Sequence, residues 1–165
     1  MTDPLLKYRE QHKHRLNYMP WLYWSLKPKH REWAEQWQAE YQAYLMEMET
    51  VEIGENCFIS PLAHIFAERG RKISIGDDTF IAADCTLHGP LQIGNEVAIN
   101  HHCILDGGRA GIKLHDQVRI AAYSHLYAFD HGMDLERPIY QQAVTSKGIE
   151  IGRDVWLGAH VGIKD

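Results

Sequence analysis

The chain has 165 residues, enough for one domain with a proper core and short for two. Charged residues at 24% and hydrophobic ones at 45% argue against wholesale disorder, and no apolar run approaches the roughly 18 residues of a membrane span. Seventeen Lys and Arg against 22 Asp and Glu give a net charge of −5, the wrong sign for a phosphate-backbone binder, so no nucleic-acid partner is expected.

At the N-terminus the basic-then-apolar order of a signal peptide is missing, and a cytoplasmic protein is expected. Residues 1–50 hold four of the five Trp and no Gly, whereas all 13 Gly fall in 51–165. The first part is charge-balanced and the second carries the acidity. A helix is expected over residues 4–18, ended by Met19-Pro20, and a stronger amphipathic one over 28–49. In the latter, Trp33, Trp37, Tyr41, Tyr44, Leu45 and Met48 recur at spacings of three and four, a stripe expected to pack on the rest of the protein.

From residue 51 onward a different period takes over. Ile75, Ile81, Leu87, Ile93, Ile99 and Leu105 fall at an unbroken interval of six, which neither a helix nor an alternating strand has. The beat continues through Ile53, Ile59 and Ile65 before it, then Leu114, Ile120 and Leu126, and finally Ile151, Leu157 and Ile163. Grouped in threes, these make five coils of a parallel β-helix, a three-sided prism with one buried aliphatic per hexad. Gly follows the first aliphatic in four coils, at Gly54, Gly76, Gly94 and Gly152, with His115 the exception.

Small or medium residues stand four places after the first and second aliphatics, where the chain must turn a corner. All three cysteines, Cys57, Cys85 and Cys103, are among them. An odd number without a C-x-x-C pair gives no disulfide framework, and a structural role is expected for each.

The beat breaks after Ile65, Leu105 and Leu126, by four, three and nineteen residues, always after the third hexad of a coil. Insertions in a solenoid leave it as loops, so these emerge along one edge, the longest over about 127–148. That edge is where function is expected.

The hexads Ile75-Gly-Asp-Asp-Thr-Phe, Ile93-Gly-Asn-Glu-Val-Ala and Ile151-Gly-Arg-Asp-Val-Trp resemble the left-handed β-helix, hexapeptide-repeat acyltransferases, in particular the galactoside and maltose O-acetyltransferase branch. The resemblance covers 51–165 and implies an all-β solenoid, a left-handed parallel β-helix of hexapeptide repeats preceded here by an α-helical segment. It implies transfer of an acetyl or other acyl group from coenzyme A, with acetyl-CoA as co-substrate and no metal, to a hydroxyl of a sugar, glycan or other small acceptor. It further implies a homotrimer with active sites in the clefts between prisms.

Three local matches carry the site. Leu126-Tyr-Ala-Phe-Asp-His131 reproduces the spacing of the family's catalytic histidine, which opens the long loop and acts as general base. A neutral imidazole suits that task near pH 7. Ile99-Asn100-His-His-Cys-Ile-Leu-Asp106 is similar to the stretch whose Asn and Asp line the acceptor pocket, and both residues are expected beside the insertion edge. Asp154-Val-Trp156-Leu-Gly158-Ala159 matches the coil after the loop, implying that Trp156 packs near the reacting groups and that the amides of Gly158 and Ala159 face the thioester. Asp130, Asp134 and Glu136 are the carboxylates near enough in sequence to orient His131, and spacing does not choose among them.

The other histidines point to less. His101 and His102, adjacent on a strand, would face opposite sides, poor geometry for one metal. His88 and His125 read as outward-facing polar residues. Two other functions fit the same prism. A γ-class carbonic anhydrase would hold zinc through three His, His88 standing as the first, but its His-x4-His pair is replaced here by His125 and His131 with five residues between. A non-catalytic assembly module would need none of these residues. The chain stops at Ile163-Lys164-Asp165 in mid-coil, where a solenoid would expose an open strand edge, so a truncated gene product is expected.

Overall fold

The computed structural model describes residues 4–165. Helix α1 (Pro4–Tyr18) leads through a short turn of helix at Pro20–Leu22 to α2 (Pro28–Met48), and after Thr50 the regular structure is strands of two or three residues, apart from a turn of 3-10 helix at Ile139–Gln141 in the long loop. Fifteen of these form three parallel five-stranded sheets, each taking one strand from every coil. The first face stacks Val51–Ile53, Ile73–Ile75, Leu91–Ile93, Ile112–Leu114 and Ile149–Ile151. The second stacks Phe58–Ile59, Phe80–Ile81, Ala98–Ile99, Arg119–Ile120 and Trp156–Leu157. The third stacks His64–Phe66, Thr86–His88, Ile104–Asp106, His125–Tyr127 and Gly162–Lys164. The molecule is therefore a parallel β-helix of five coils with helices at its N-terminal end.

The six-residue beat is the core. Ile81, Leu87, Ile99, Leu105, Ile120 and Leu126 are completely buried, and in register each sits on its counterpart in the next coil, as with Ile81 on Ile99. Each buried aliphatic contributes about 1.5–3 kcal/mol of transfer free energy. The first two corners are made by residues in the left-handed region, including Asp78, Glu96, His102 and Tyr123, which lets a coil turn in very few residues. The third corner receives all the insertions: residues 67–72, 107–111 and 128–148 lie between a third-face strand and the next first-face strand.

Helix α2 buries Ala34, Gln38 and Leu45 and packs Tyr41 on the main core. Trp33 and Trp37 join a second cluster with Leu16, Tyr23, Phe58, Phe80 and Ala98 on the outside of the second face. The stripe is thus only partly inward: Tyr44 and Met48 are exposed, because the buried side of α2 runs through Ala34 and Gln38. Among the described residues no helix is long and apolar enough to cross a membrane.

Candidate functional site

The third corner gathers a group of charged side chains. His88 and Asp106 occupy equivalent positions one coil apart and are partners in the third-face ladder. His88 Nδ1 lies 3.4 Å from Asp106 Oδ2, and its Nε2 lies 3.1 Å from Glu68 Oε1 on the first inserted loop. Arg71 from the same loop approaches Glu68 at 3.2 Å and Asp106 at 3.7 Å, and the Gly108 N–H donates to Asp106 Oδ1 at 3.0 Å. His88 holds the Glu68 carboxyl below the usual carboxylate range. Beside this network is a cleft of about 350 Å³ lined by Arg71, Asp106, Arg109, Phe129, Val144 and Ser146.

The long loop folds back on itself above that cleft. Asp130–His131 pairs antiparallel with Val144–Thr145, and His131 is the direct partner of Val144. The loop is fastened at its foot by Ser146, whose hydroxyl donates to the Ala128 carbonyl at 2.5 Å and accepts from the N–H groups of Arg109 and Ala110, each at 2.9 Å. His131 is exposed, and no described side chain bonds to its ring. None of the three expected carboxylates orients it. Asp130 accepts the His131 backbone N–H at 3.1 Å and pairs with Lys164, Asp134 accepts the Glu136 N–H, and Glu136 stays in solvent. The Lys164 ammonium holds the Asp130 carboxyl below its ordinary range.

The remaining expected residues lie elsewhere on the prism. Asn100 is not beside the insertion edge: it stands at the second corner, with its side-chain N–H donating to the Ile120 carbonyl at 2.9 Å. Six residues along a hexad repeat is one face of the prism, so Asn100 and Asp106 are close in sequence yet a corner apart. Gly158 and Ala159 are at that same second corner in the fifth coil, and a Cβ on Gly158 would meet nothing within 4 Å. The Ala159 N–H has no acceptor among the described residues. Trp156 projects from the second face and is 75% exposed. One chain therefore brings His131 and Asp106 to one corner and Asn100, Gly158 and Ala159 to another.

His101 and His102 are not on a strand; they form the turn of the second corner. The His102 ring stacks on Tyr123 at 4.8 Å, which stacks on His160 at 5.1 Å. Among the described residues no three His, Cys, Asp or Glu side chains converge as a metal site. The Glu68, Arg71, His88 and Asp106 network is absent from the sequence-based expectations, although the coil period itself places residue 106 directly over residue 88.

No family model matches the chain. It is 31% identical over 97 residues to a probable acetyltransferase of Mycobacterium tuberculosis, a match covering 58% of this chain and 31% of that protein. It is 34% identical over 55 residues to a dTDP-4-amino-4,6-dideoxy-D-glucose acyltransferase of Escherichia coli, covering 32% of this chain and 29% of that protein. The chain thus spans under a third of the length of these curated relatives. Among solved structures it is similar to a variant of AntD, an N-acyltransferase from Bacillus cereus, in complex with dTDP-4-amino-4,6-dideoxyglucose and coenzyme A. The TM-score is 0.63 at 29% identity, over 74% of this chain and 68% of that one. These three similar proteins are named as acyltransferases, and the coil architecture of this chain fits the hexapeptide-repeat group.

Proposed function

We propose that the protein is a coenzyme A-dependent acyltransferase that moves an acetyl or other acyl group onto a hydroxyl of a sugar or glycan acceptor, with His131 as general base. The observation that carries this reading is His131 itself, exposed at the head of the one long loop, with a ring that no described group engages. Both ring nitrogens are therefore open to an incoming acceptor.

An acceptor hydroxyl is a poor nucleophile until its proton is drawn off. His131 takes that proton as the new oxygen–carbon bond forms, and returns it to the departing sulfur as the carbon–sulfur bond breaks, so no covalent enzyme intermediate is required. The free N–H of Ala159 stabilises the charge that grows on the carbonyl oxygen, and open space at Gly158 leaves the thioester room to approach. Asp106, held by Gly108, Arg71 and His88, presents a fixed carboxylate to the acceptor. Asn100 offers its amide oxygen, and Trp156 a flat apolar wall.

These groups come from two corners, so the site is completed by a second copy of the chain. A homotrimer with His131 and Asp106 of one copy facing Asn100, Trp156 and Ala159 of the next satisfies that requirement. An amine acceptor is the second reading, favoured by the two relatives whose names specify amino-sugar or N-acyl transfer.

The test is coenzyme A release from acetyl-CoA across a panel of sugars and sugar nucleotides bearing free hydroxyl or amino groups. Wild type is expected to turn over at least one hydroxyl acceptor, with His131→Ala lowering kcat by about 10²- to 10⁴-fold at an unchanged unfolding midpoint. Transfer only to amines selects the second reading. Transfer unaffected by His131→Ala sinks the assignment of the base.

A further inference from the structure

The outward side of the second face carries one residue per coil in strict register: Phe58, Phe80, Ala98, Arg119 and Trp156. The N-terminal segment covers the first three. Tyr23 and Trp37 lie 5.4 and 5.8 Å from the Phe58 ring, Trp24 lies 6.2 Å from Phe80, and Phe58, Phe80 and Ala98 are at most 9% exposed. The cover then stops. Arg119 is exposed, and Trp156 one coil further is 75% exposed. At the step lies a groove of about 530 Å³, with Trp21, Trp24 and Phe80 forming one wall. That volume falls within the roughly 300–1,000 Å³ of small-molecule sites.

The wall is not finished as a core would be. Trp21 is half exposed, and the indole N–H of Trp24 is buried without a hydrogen-bond partner. An unmet buried donor of that kind costs as much as a lost hydrogen bond, so the packing around Trp24 is incomplete. The opposite rim is polar: Asp78, Glu96, Asn100 and Arg119. Each carboxylate there has one oxygen engaged, Asp78 by Asn56 and Glu96 by Gln117, and one left over. The rim thus sets carboxylate oxygens and the Arg119 guanidinium opposite an aromatic wall. Two carboxylates against one guanidinium make the rim net negative, which disfavours a phosphate or carboxylate.

The geometry points to this groove as the seat of the acceptor's sugar ring, a neutral or amino-bearing pyranose stacked on Trp21 and Trp24 with its hydroxyls on the polar rim. A pyranose has one apolar C–H face and a girdle of hydroxyls, which is the complement of such a lining. Asn100 belongs both to the groove and to the second corner. Two coils separate it from Gly158 in the same column, about 10 Å at ordinary strand spacing. A ring seated beside Asn100 is therefore within two coils of the acyl-transfer groups at the second corner. The inference rests on the proposed function, and it gives the Trp-rich N-terminal segment a task in acceptor selection.

Binding without turnover separates the two ideas. Methyl glucoside, methyl galactoside and glucosamine are titrated into the His131→Ala full-length chain, with inorganic phosphate as control, while the indole N–H resonances are followed by NMR. The Trp24 resonance is expected to shift with a sugar and not with phosphate. Trp21→Ala is expected to weaken that sugar about tenfold, and Trp24→Phe to weaken it while keeping the ring. In wild-type background the same changes raise the acceptor KM and leave the acetyl-CoA KM alone. Sugar binding indifferent to both substitutions overturns the proposal, as does transfer to a sugar that never moves the Trp24 signal, a result that leaves the acyltransferase reading standing. A change of oligomeric state in Trp21→Ala, with unchanged sugar affinity, marks the groove as a contact between copies and also overturns it.

Discussion

The carboxylate of Asp130, immediately before His131, pairs with the ammonium of Lys164 on the last third-face strand. This contact ties the root of the long loop to the fifth coil. Both side chains are solvent-accessible, so the pair adds little to global stability. Its effect falls on where His131 stands. Lys164→Gln should lower kcat about tenfold through misplacement of the base, with an unchanged acetyl-CoA KM and unfolding midpoint. The pH dependence follows from the directions of the two shifts. Asp130 is held below its ordinary 3.8, so the tie is complete above that value and is lost as pH falls through the lowered one. Lys164 is held above its ordinary 10.5, so on the alkaline side the tie outlasts that value. Limited proteolysis within 132–143 should therefore rise in wild type only in acid, and already at neutral pH in Lys164→Gln. Equal cleavage of the two at neutral pH would count against the tie.

The glycine after the first aliphatic of each coil has a physical cause. A Cβ on Gly76 would come within 2.5 Å of Asn95 Oδ1 and 2.7 Å of the Gly94 backbone, and Gly54 and Gly94 meet Asp77 and Asp116 in the same way. Those Asp and Asn oxygens are committed, because each accepts a backbone N–H from the coil below, as Asn95 does from Asp77 at 2.8 Å. Gly76→Ala should destabilise by about 1–3 kcal/mol in denaturant unfolding. Gly152, with nothing within 4 Å, should tolerate Ala to within about 0.5 kcal/mol. Comparable losses at both positions would mean that backbone flexibility, rather than the Asx ladder, selects glycine.

That ladder also explains what could and could not be read from the chain. The beat of six is legible because every inward aliphatic faces the same environment, and the insertions inherit its phase. His115 breaks the glycine rule because Arg153, with no Asp or Asn oxygen to place, stands in the coil above Asp116. Asn100 falls at the second corner and not at the insertion edge because nearness in sequence is a poor guide on a prism, where six residues turn a corner and eighteen return to the same face. The same arithmetic, applied to His88 and Asp106, would have revealed their contact. Gln38 was illegible for another reason: hydropathy cannot mark a polar residue whose burial depends on two backbone groups far along the chain.

The cysteines are built into the corners. Cys57, Cys85 and Cys103 are at most 3% exposed, and each thiol donates to a carbonyl of the next coil, at 3.0, 3.0 and 3.2 Å. Burial pushes the Cys57 thiol up to about 11, and the contact with Cys103 together with burial raises Cys85. Thiolate is thus scarce at Cys57 and Cys85, whereas the contact with Cys85 lowers Cys103, whose protection is its complete burial. Native protein should give no fast reaction with a thiol-exchange reagent at about pH 8, and all three groups should react once unfolded. Cys103→Ser, which keeps a donor for the Ala121 carbonyl, should retain more stability than Cys103→Val. Rapid labelling of any native thiol would show that the corners open.

Gln38 closes the open end of the solenoid. It is 2% exposed, donates to the Ile59 carbonyl at 3.1 Å and accepts the Ile59 N–H at 2.8 Å. The amide thereby takes the place of the coil that would otherwise pair with the first one. Gln42 does the same for the Cys57 carbonyl at 2.9 Å, and Glu49 for the Ala67 N–H at 2.7 Å, so α2 covers an edge that would otherwise template aggregation. Gln38→Met keeps the volume but strands two buried backbone groups. It should cost about 2–4 kcal/mol, against about 1 kcal/mol for Gln42→Met, which strands only the Cys57 carbonyl among backbone groups and otherwise loses a side-chain bond to Gln38 at 3.0 Å, at a half-buried site. Urea unfolding with unchanged m-values would measure both, and concentration-dependent light scattering should rise first in Gln38→Met. A loss at Gln38 no greater than at Gln42 would mean that the helix covers the edge by apolar packing alone, with its amides incidental.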